Sequence, residues 1–144
     1  MEITFQPRGL PALIGSLPLT DHVEACRLVL EYTPQIPLWI QLPAYKEEGM
    51  IPQFMPGLPG IHATADRVYI DTGQDDFEND ILKFYEDYMA EADGATDLSE
   101  TRFALREETA KGFFVFVEHL KDLEAAPVAV KGQVTGPFTF CTGI

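Results

Sequence analysis

The residues with chemical potential are few, and most lie where one local pattern gives way to another. Ala12-Leu13-Ile14 runs into Gly15-Ser16, then Leu17-Pro18, then Thr20-Asp21. This is the order of a buried strand, a tight turn carrying a small hydroxyl, and a helix N-cap. Ligands of α/β proteins bind in the loop after a strand's carboxyl end, which makes Gly15 and Ser16 the first candidate site residues. Gln41 and Gln133 stand at or near the ends of two further apolar runs. A carboxamide there can hydrogen-bond a polar ligand or simply cap the strand. Thr135-Gly136-Pro137 is the matching loop after the later run. Lys131 lies inside that run, where a lysine needs a partner unless it reaches out at the far end of the strand.

Other reactive types carry less. His22 and His119 fall on expected helices and read as solvated, while His62 sits beside an irregular loop. Cys26 and Cys141 lie in apolar segments and read as two reduced, buried thiols rather than a disulfide or a metal pair. Asp75, Asp76, Glu78 and Asp80 crowd one another, but at the start of a helix such density reads as solvated charge that suits the helix dipole. Arg8 and Arg67 are candidate anion holders without a motif around them. No residue is assigned a catalytic role, and none a metal.

The elements that must hold these residues follow from periodicity. Asp21 caps a helix with Glu24 at the third position; Val23, Cys26, Val29 and Leu30 give it an apolar stripe, and Pro34 ends it. Ile36 to Pro43, a proline-bounded run holding Trp39, reads as a second buried strand, so that strand–helix–strand order demands a parallel pair. Tyr45 to Gly60 is an irregular, proline- and glycine-rich loop of a length that is usually functional or mobile. Ile61–Thr64 and Arg67–Asp71 form a small hairpin turning at Ala65-Asp66. From Asp75 the pattern is helical: Phe77, Ile81, Phe84, Tyr85, Tyr88, Met89 and Ala92 mark one face, and Gly94 is placed to stop the helix. A third helix carries Ala110, Phe113, Phe114, Val117 and Leu120; Ser99 is one candidate for its cap, and Phe103-Ala104-Leu105 is alternatively a separate turn. Pro127 to Val134 reads as another buried parallel strand, and Phe138 to Cys141 is apolar again.

Composition bounds the rest. A chain of 144 residues with 46% hydrophobic content suits one domain with a real core. Ten basic against 23 acidic residues give a net charge of −13, which repels phosphate backbones and anionic lipid and argues against nucleic-acid and membrane partners. The first residues lack the basic and apolar regions of a signal peptide, and with two reduced thiols this implies a cytoplasmic protein.

Four motifs in order carry a family resemblance: Ile14-Gly15-Ser16-Leu17-Pro18 with Thr20-Asp21, Pro37 to Pro43, Gly57-Leu58-Pro59-Gly60, and Val130 to Pro137. Together they resemble the N-terminal part of the superfamily of cobalamin-independent methionine synthase and uroporphyrinogen decarboxylase, on its methionine-synthase-like branch. The resemblance implies a (β/α)8 barrel, of which residues 1–144 would be a single-domain N-terminal portion: an α/β partial TIM barrel with a small β-hairpin excursion. It further implies that Ile14, Gly15 and Ser16 hold the amino-acid part of homocysteine or methionine, with Gln41, Gln133, Thr135 and Gly136 nearby. Backbone N–H groups and one hydroxyl suit a carboxylate there. In that family methyl transfer uses a zinc ion held by His, Cys and Glu; no such set is present in this chain, so a zinc would belong to a longer barrel.

Three functions stay open. The first is the substrate-binding N-terminal segment of a methyltransferase taking a small thiol or amino acid, inactive alone. The second is a non-catalytic fragment that self-associates through an exposed sheet edge, which a chain ending in mid-barrel would leave. The third is a uroporphyrinogen-decarboxylase-like protein, for which Pro37, Trp39 and Gln41 speak faintly and the negative charge speaks against. A small complete α/β domain remains the alternative to a truncated barrel.

Overall fold

The computed structural model describes residues 5–64 and 67–144. The chain divides into two compact units, one formed by the chain up to Gly49 with Glu107–Val134, the other by Met50–Arg106 with Thr135–Ile144.

In the first unit, helix α1 spans His22–Tyr32. Asp21 caps it by accepting a hydrogen bond from the Glu24 N–H at 2.8 Å, and the helix ends at Thr33, whose N–H and hydroxyl both return to the Val29 carbonyl. Its buried face is His22, Ala25, Cys26 and Val29, at the spacing of one helical stripe. Val23, expected inside, is 53% exposed. Helix α1 packs on α3, Glu107–Lys121, and α3 also meets the single 3-10 turn Lys46–Glu48. The backbone of α3 leaves helical geometry at Ala110, and beyond that point Gly112 lies so close on the Ile40 carbonyl that a Cβ would collide with it. Trp39 meets Phe113 edge-on, with ring centroids 5.1 Å apart. Residues 36–40 and Leu42 are buried, so this segment is the centre of the unit's core.

The expected partial (β/α)8 barrel is not what the chain forms. The described residues hold four α-helices and one two-stranded antiparallel hairpin, β1 (Ile61–Ala63) with β2 (Val68–Ile70). The runs expected as buried parallel strands are joined only by isolated parallel bridges, Ser16 with Gln41 and Leu38 with Lys131. The cause lies in the central run. Pro37 and Trp39 bond to Lys131 on one side, whereas Gln41 bonds to Gly15 and Leu17 on the other. In an uninterrupted strand residues 37, 39 and 41 point the same way, so the chain is bulged between Trp39 and Gln41. Pro37 has no N–H to add to a ladder. Each side therefore forms one bridge, and on the 128–134 side the Val128 and Ala129 N–H groups bond further back to the Gln35 carbonyl without extending a ladder.

In the second unit α2 spans Phe77–Ala92. Arg102 clamps it by bonding Asp80 through the carboxylate, at 2.7 Å, and through the carbonyl, with Asp87 at 3.6 Å. Asp80 also accepts the Gly60 N–H, tying the hairpin's entry to the helix. Gly57, at a positive φ of 89°, sits so close on the Arg102 carbonyl that no side chain fits there. Asp97, not Ser99, is the cap, and it starts a short 3-10 turn, Leu98–Glu100, rather than α3. The apolar run after Pro137 is helical: α4, Pro137–Gly143, with proline in its first turn. The hairpin's turn, Ala65-Asp66, lies outside the described residues. No described helix is long and apolar enough to cross a membrane.

Candidate functional site

Five of the seven expected site residues lie in the first unit, and four of them, Gly15, Ser16, Gln41 and Gln133, meet one another directly. The bulge after Trp39 swings Gln41 toward the 15–17 segment, where its N–H reaches the Gly15 carbonyl and its own carbonyl accepts the Leu17 N–H at 3.0 Å. The same bulge leaves the Trp39 carbonyl facing Gln133. The Gln133 Nε2 donates to that carbonyl at 3.2 Å and to Gln41 Oε1 at 2.7 Å. The two carboxamides, expected separately at strand ends, form one hydrogen-bonded pair across the central segment. Gln133 in turn lies on Gly15: any Cβ there would overlap its amide group. Glycine at 15 is thus favoured both by this close approach and by its φ of 155°.

Gly15 is buried while Ser16 is exposed. Among the described residues neither the Gly15 N–H, the Ser16 N–H nor the Ser16 hydroxyl has a hydrogen-bond partner. The Ile14 side chain is 90% exposed, so Ile14 contributes its backbone. That backbone is fixed by Lys131, whose Nζ donates to the Leu13 carbonyl at 2.8 Å and the Ile14 carbonyl at 2.7 Å. The sequence left Lys131 reaching outward at the strand's far end. Instead it cross-links the 128–134 segment to the residues just before the turn, spanning the central segment between them. Its ammonium places a positive charge beside Gly15 in a chain of net charge −13. Thr135 and Gly136 belong to the second unit, where the Thr135 hydroxyl donates to the Met50 carbonyl and Gly136 precedes α4.

Two residues read as solvated or unremarkable are buried instead. His22 Nε2 lies 2.6 Å from Glu48 Oε1, both residues being under 10% exposed. Glu48 Oε2 accepts the Leu42 N–H at 2.9 Å, His22 stacks on Tyr45, and the Tyr45 hydroxyl donates to the Thr20 carbonyl. This pair pins the loop after the central segment to the start of α1. Nothing in Lys46-Glu47-Glu48 marks the third residue as the buried one; the signal was at His22, which completes an i, i+3, i+4, i+7 stripe with Ala25, Cys26 and Val29.

The remaining expectations resolve singly. Cys26 is fully buried, and burial pushes its thiol up to about 11, but Cys141, expected inside, is exposed on α4. His119 Nδ1 is bonded to the Val115 carbonyl within α3. His62 lies on β1 against Tyr69, and the Arg67 guanidinium covers the same ring at 4.6 Å, so this arginine is occupied by a cation–π contact. No group of three or more His, Cys, Asp or Glu among the described residues is arranged to hold a metal ion.

Comparison with protein-family models, with curated proteins and with solved structures finds no match to this chain.

Proposed function

We propose that the first unit binds the carboxylate of a small amino acid or thiol-bearing amino acid at the Gly15-Ser16 turn, as part of a methionine-synthase-like methyl-transfer protein. The observation that carries this is the set of three donors that have no partner among the described residues: two successive N–H groups and the Ser16 hydroxyl. Main-chain N–H groups and a hydroxyl are the kinds of donor that hold a carboxylate. The Lys131 ammonium, held against the carbonyls of Leu13 and Ile14, favours a negative ligand group locally although the chain as a whole repels one. The Gln41–Gln133 pair borders the turn with polar atoms and suits the amino group or polar end of such a ligand. The substrate class and the methyl transfer rest on the order of the four motifs in the sequence. Two cysteines without a disulfide fit a cytoplasmic setting.

The test is calorimetry with methionine and with homocysteine. The unmodified protein is expected to bind, and Ser16→Ala to bind about fivefold more weakly, the ~1 kcal/mol net worth of one hydrogen bond. Absence of heat with either ligand, or equal affinity of the variant, would contradict the proposal.

A further inference from the structure

We propose that the outer edge of the 128–134 segment is an interface at which a second copy of this chain adds its own edge. Lys131 turns both its N–H and its carbonyl toward the central segment, bonding Pro37 and Trp39. Neighbouring residues of an extended chain alternate in direction, so Val130 and Gly132 present their N–H and carbonyl groups outward. Among the described residues those groups make no backbone hydrogen bond. Side chains along the edge are apolar and exposed: Val128 by 56%, Val130 by 52% and Val134 by 76%. An apolar crevice of about 400 Å³, lined by Phe5, Leu10 and Ile36 together with Ala129 and Lys131, borders the same stretch and can receive side chains of an added strand. An unpaired, valine-rich edge of this kind is a template for pairing with another chain.

Charge selects the occupant. The chain carries 23 carboxylates, yet none lies between Ala125 and Ile144. A basic partner finds no acidic residue on this edge to pair with. An acidic partner finds on the edge only Lys131, whose Nζ reaches across the central segment to the Leu13 and Ile14 carbonyls and so lies away from the outer side. What fits is an uncharged, extended, β-branched edge, and the same residues of a second copy supply it. Elsewhere on the surface the net charge of −13 holds two copies apart, so they can approach closely here. Pairing of one edge with itself about a two-fold axis closes at the dimer.

The test is sedimentation equilibrium on the full chain beside Val130→Pro. Proline at 130 deletes an N–H that no internal bond uses, so the variant is expected to be a monomer with an unchanged circular dichroism spectrum while the unmodified protein is a dimer. Amide hydrogen exchange on the unmodified protein supplies a readout that needs no variant: Val130 and Gly132 are expected to be protected at concentrations where the dimer forms and to exchange freely on dilution. A monomer throughout the micromolar range, association that Val130→Pro leaves intact, or amides that exchange freely at high concentration would each overturn the proposal.

Discussion

Gly15 and Gln133 show how much a single position decides. Gly15→Ala places a methyl group on the Gln133 amide. The amide is the end of a flexible side chain, so it moves rather than the backbone, and it gives up its bonds to Trp39 and Gln41. The expected result is a larger loss of ligand affinity than Ser16→Ala produces, with thermal stability lowered by about 2–3 kcal/mol, about 1 for each of the two hydrogen bonds and the rest for an alanine at a φ of 155°. Calorimetry and thermal melts on one sample separate the two effects. The cysteines make a second prediction at this scale. A thiol raised to about 11 by burial is protonated at neutral pH and unreactive, whereas Cys141 is exposed. A disulfide reagent is expected to modify Cys141 in the native protein and Cys26 only after denaturation, as peptide mass mapping would show. Glycine and serine at 15 and 16 were legible in the sequence because small residues between a strand pattern and an N-cap mark a turn. The bond between Gln41 and Gln133 was not, since residues so far apart in the chain meet only through the bulge after Trp39.

Elements carry the stability that keeps those residues in place. Gly112→Ala drives a Cβ into the Ile40 carbonyl, which is main chain and cannot swing aside. A cost of about 1–3 kcal/mol is expected from such overpacking, read as a lower denaturant midpoint. Removing Glu48 strands two buried groups at once, His22 and the Leu42 N–H; Glu48→Ala is expected to cost about 2–4 kcal/mol in the same measurement. In the second unit the Arg102 guanidinium, helped by the Gly60 N–H, holds the Asp80 carboxyl below its ordinary value of 3.8. A carboxyl lowered by folding contributes stability above its unfolded value and loses that contribution as pH falls through the lower, folded one. Melting temperature followed from about pH 6 down to about pH 2 is therefore expected to fall less steeply for Asp80→Asn than for the unmodified protein. Elements with a cap or a long period were legible: α1 with its Asp21 cap, the hairpin arms, and α2 with its stop at Gly94. The apolar run after Pro137 was not, because seven residues are too few for a helical period to declare itself, and only the proline in the first turn pointed to α4. The extent of β-pairing was equally hidden. Ile36 to Leu42 has the composition of a buried strand and is buried except at Gln41, but its hydrogen bonds turn from Lys131 to Gly15 and Leu17 across Ile40, where Gly112 of α3 packs on the main chain, and no local pattern in the run reports that contact.

At the scale of the whole molecule, sequence order and tertiary grouping differ. Thr135 follows Val134 directly, yet the two residues belong to different compact units. The residues that do assemble, Gly15, Ser16, Gln41 and Gln133, come from three stretches of the first unit and need only that unit to be formed. In a chain of net charge −13 the Lys131 ammonium, bonded to the Ile14 carbonyl, is a local positive charge, and the proposed carboxylate binding calls on it. Lys131→Met is therefore expected to weaken binding of methionine by more than it weakens binding of an analogue without a carboxylate. The most direct measurement is a titration of the protein with methionine, followed by nuclear magnetic resonance at the backbone amides of Gly15 and Ser16. Both amide signals are expected to move with saturating shifts, and to stay in place with 3-(methylthio)propylamine, which keeps the side chain and amine but lacks the carboxylate. Unmoved Gly15 and Ser16 signals with methionine, or equal shifts with the amine, would contradict carboxylate binding at this turn.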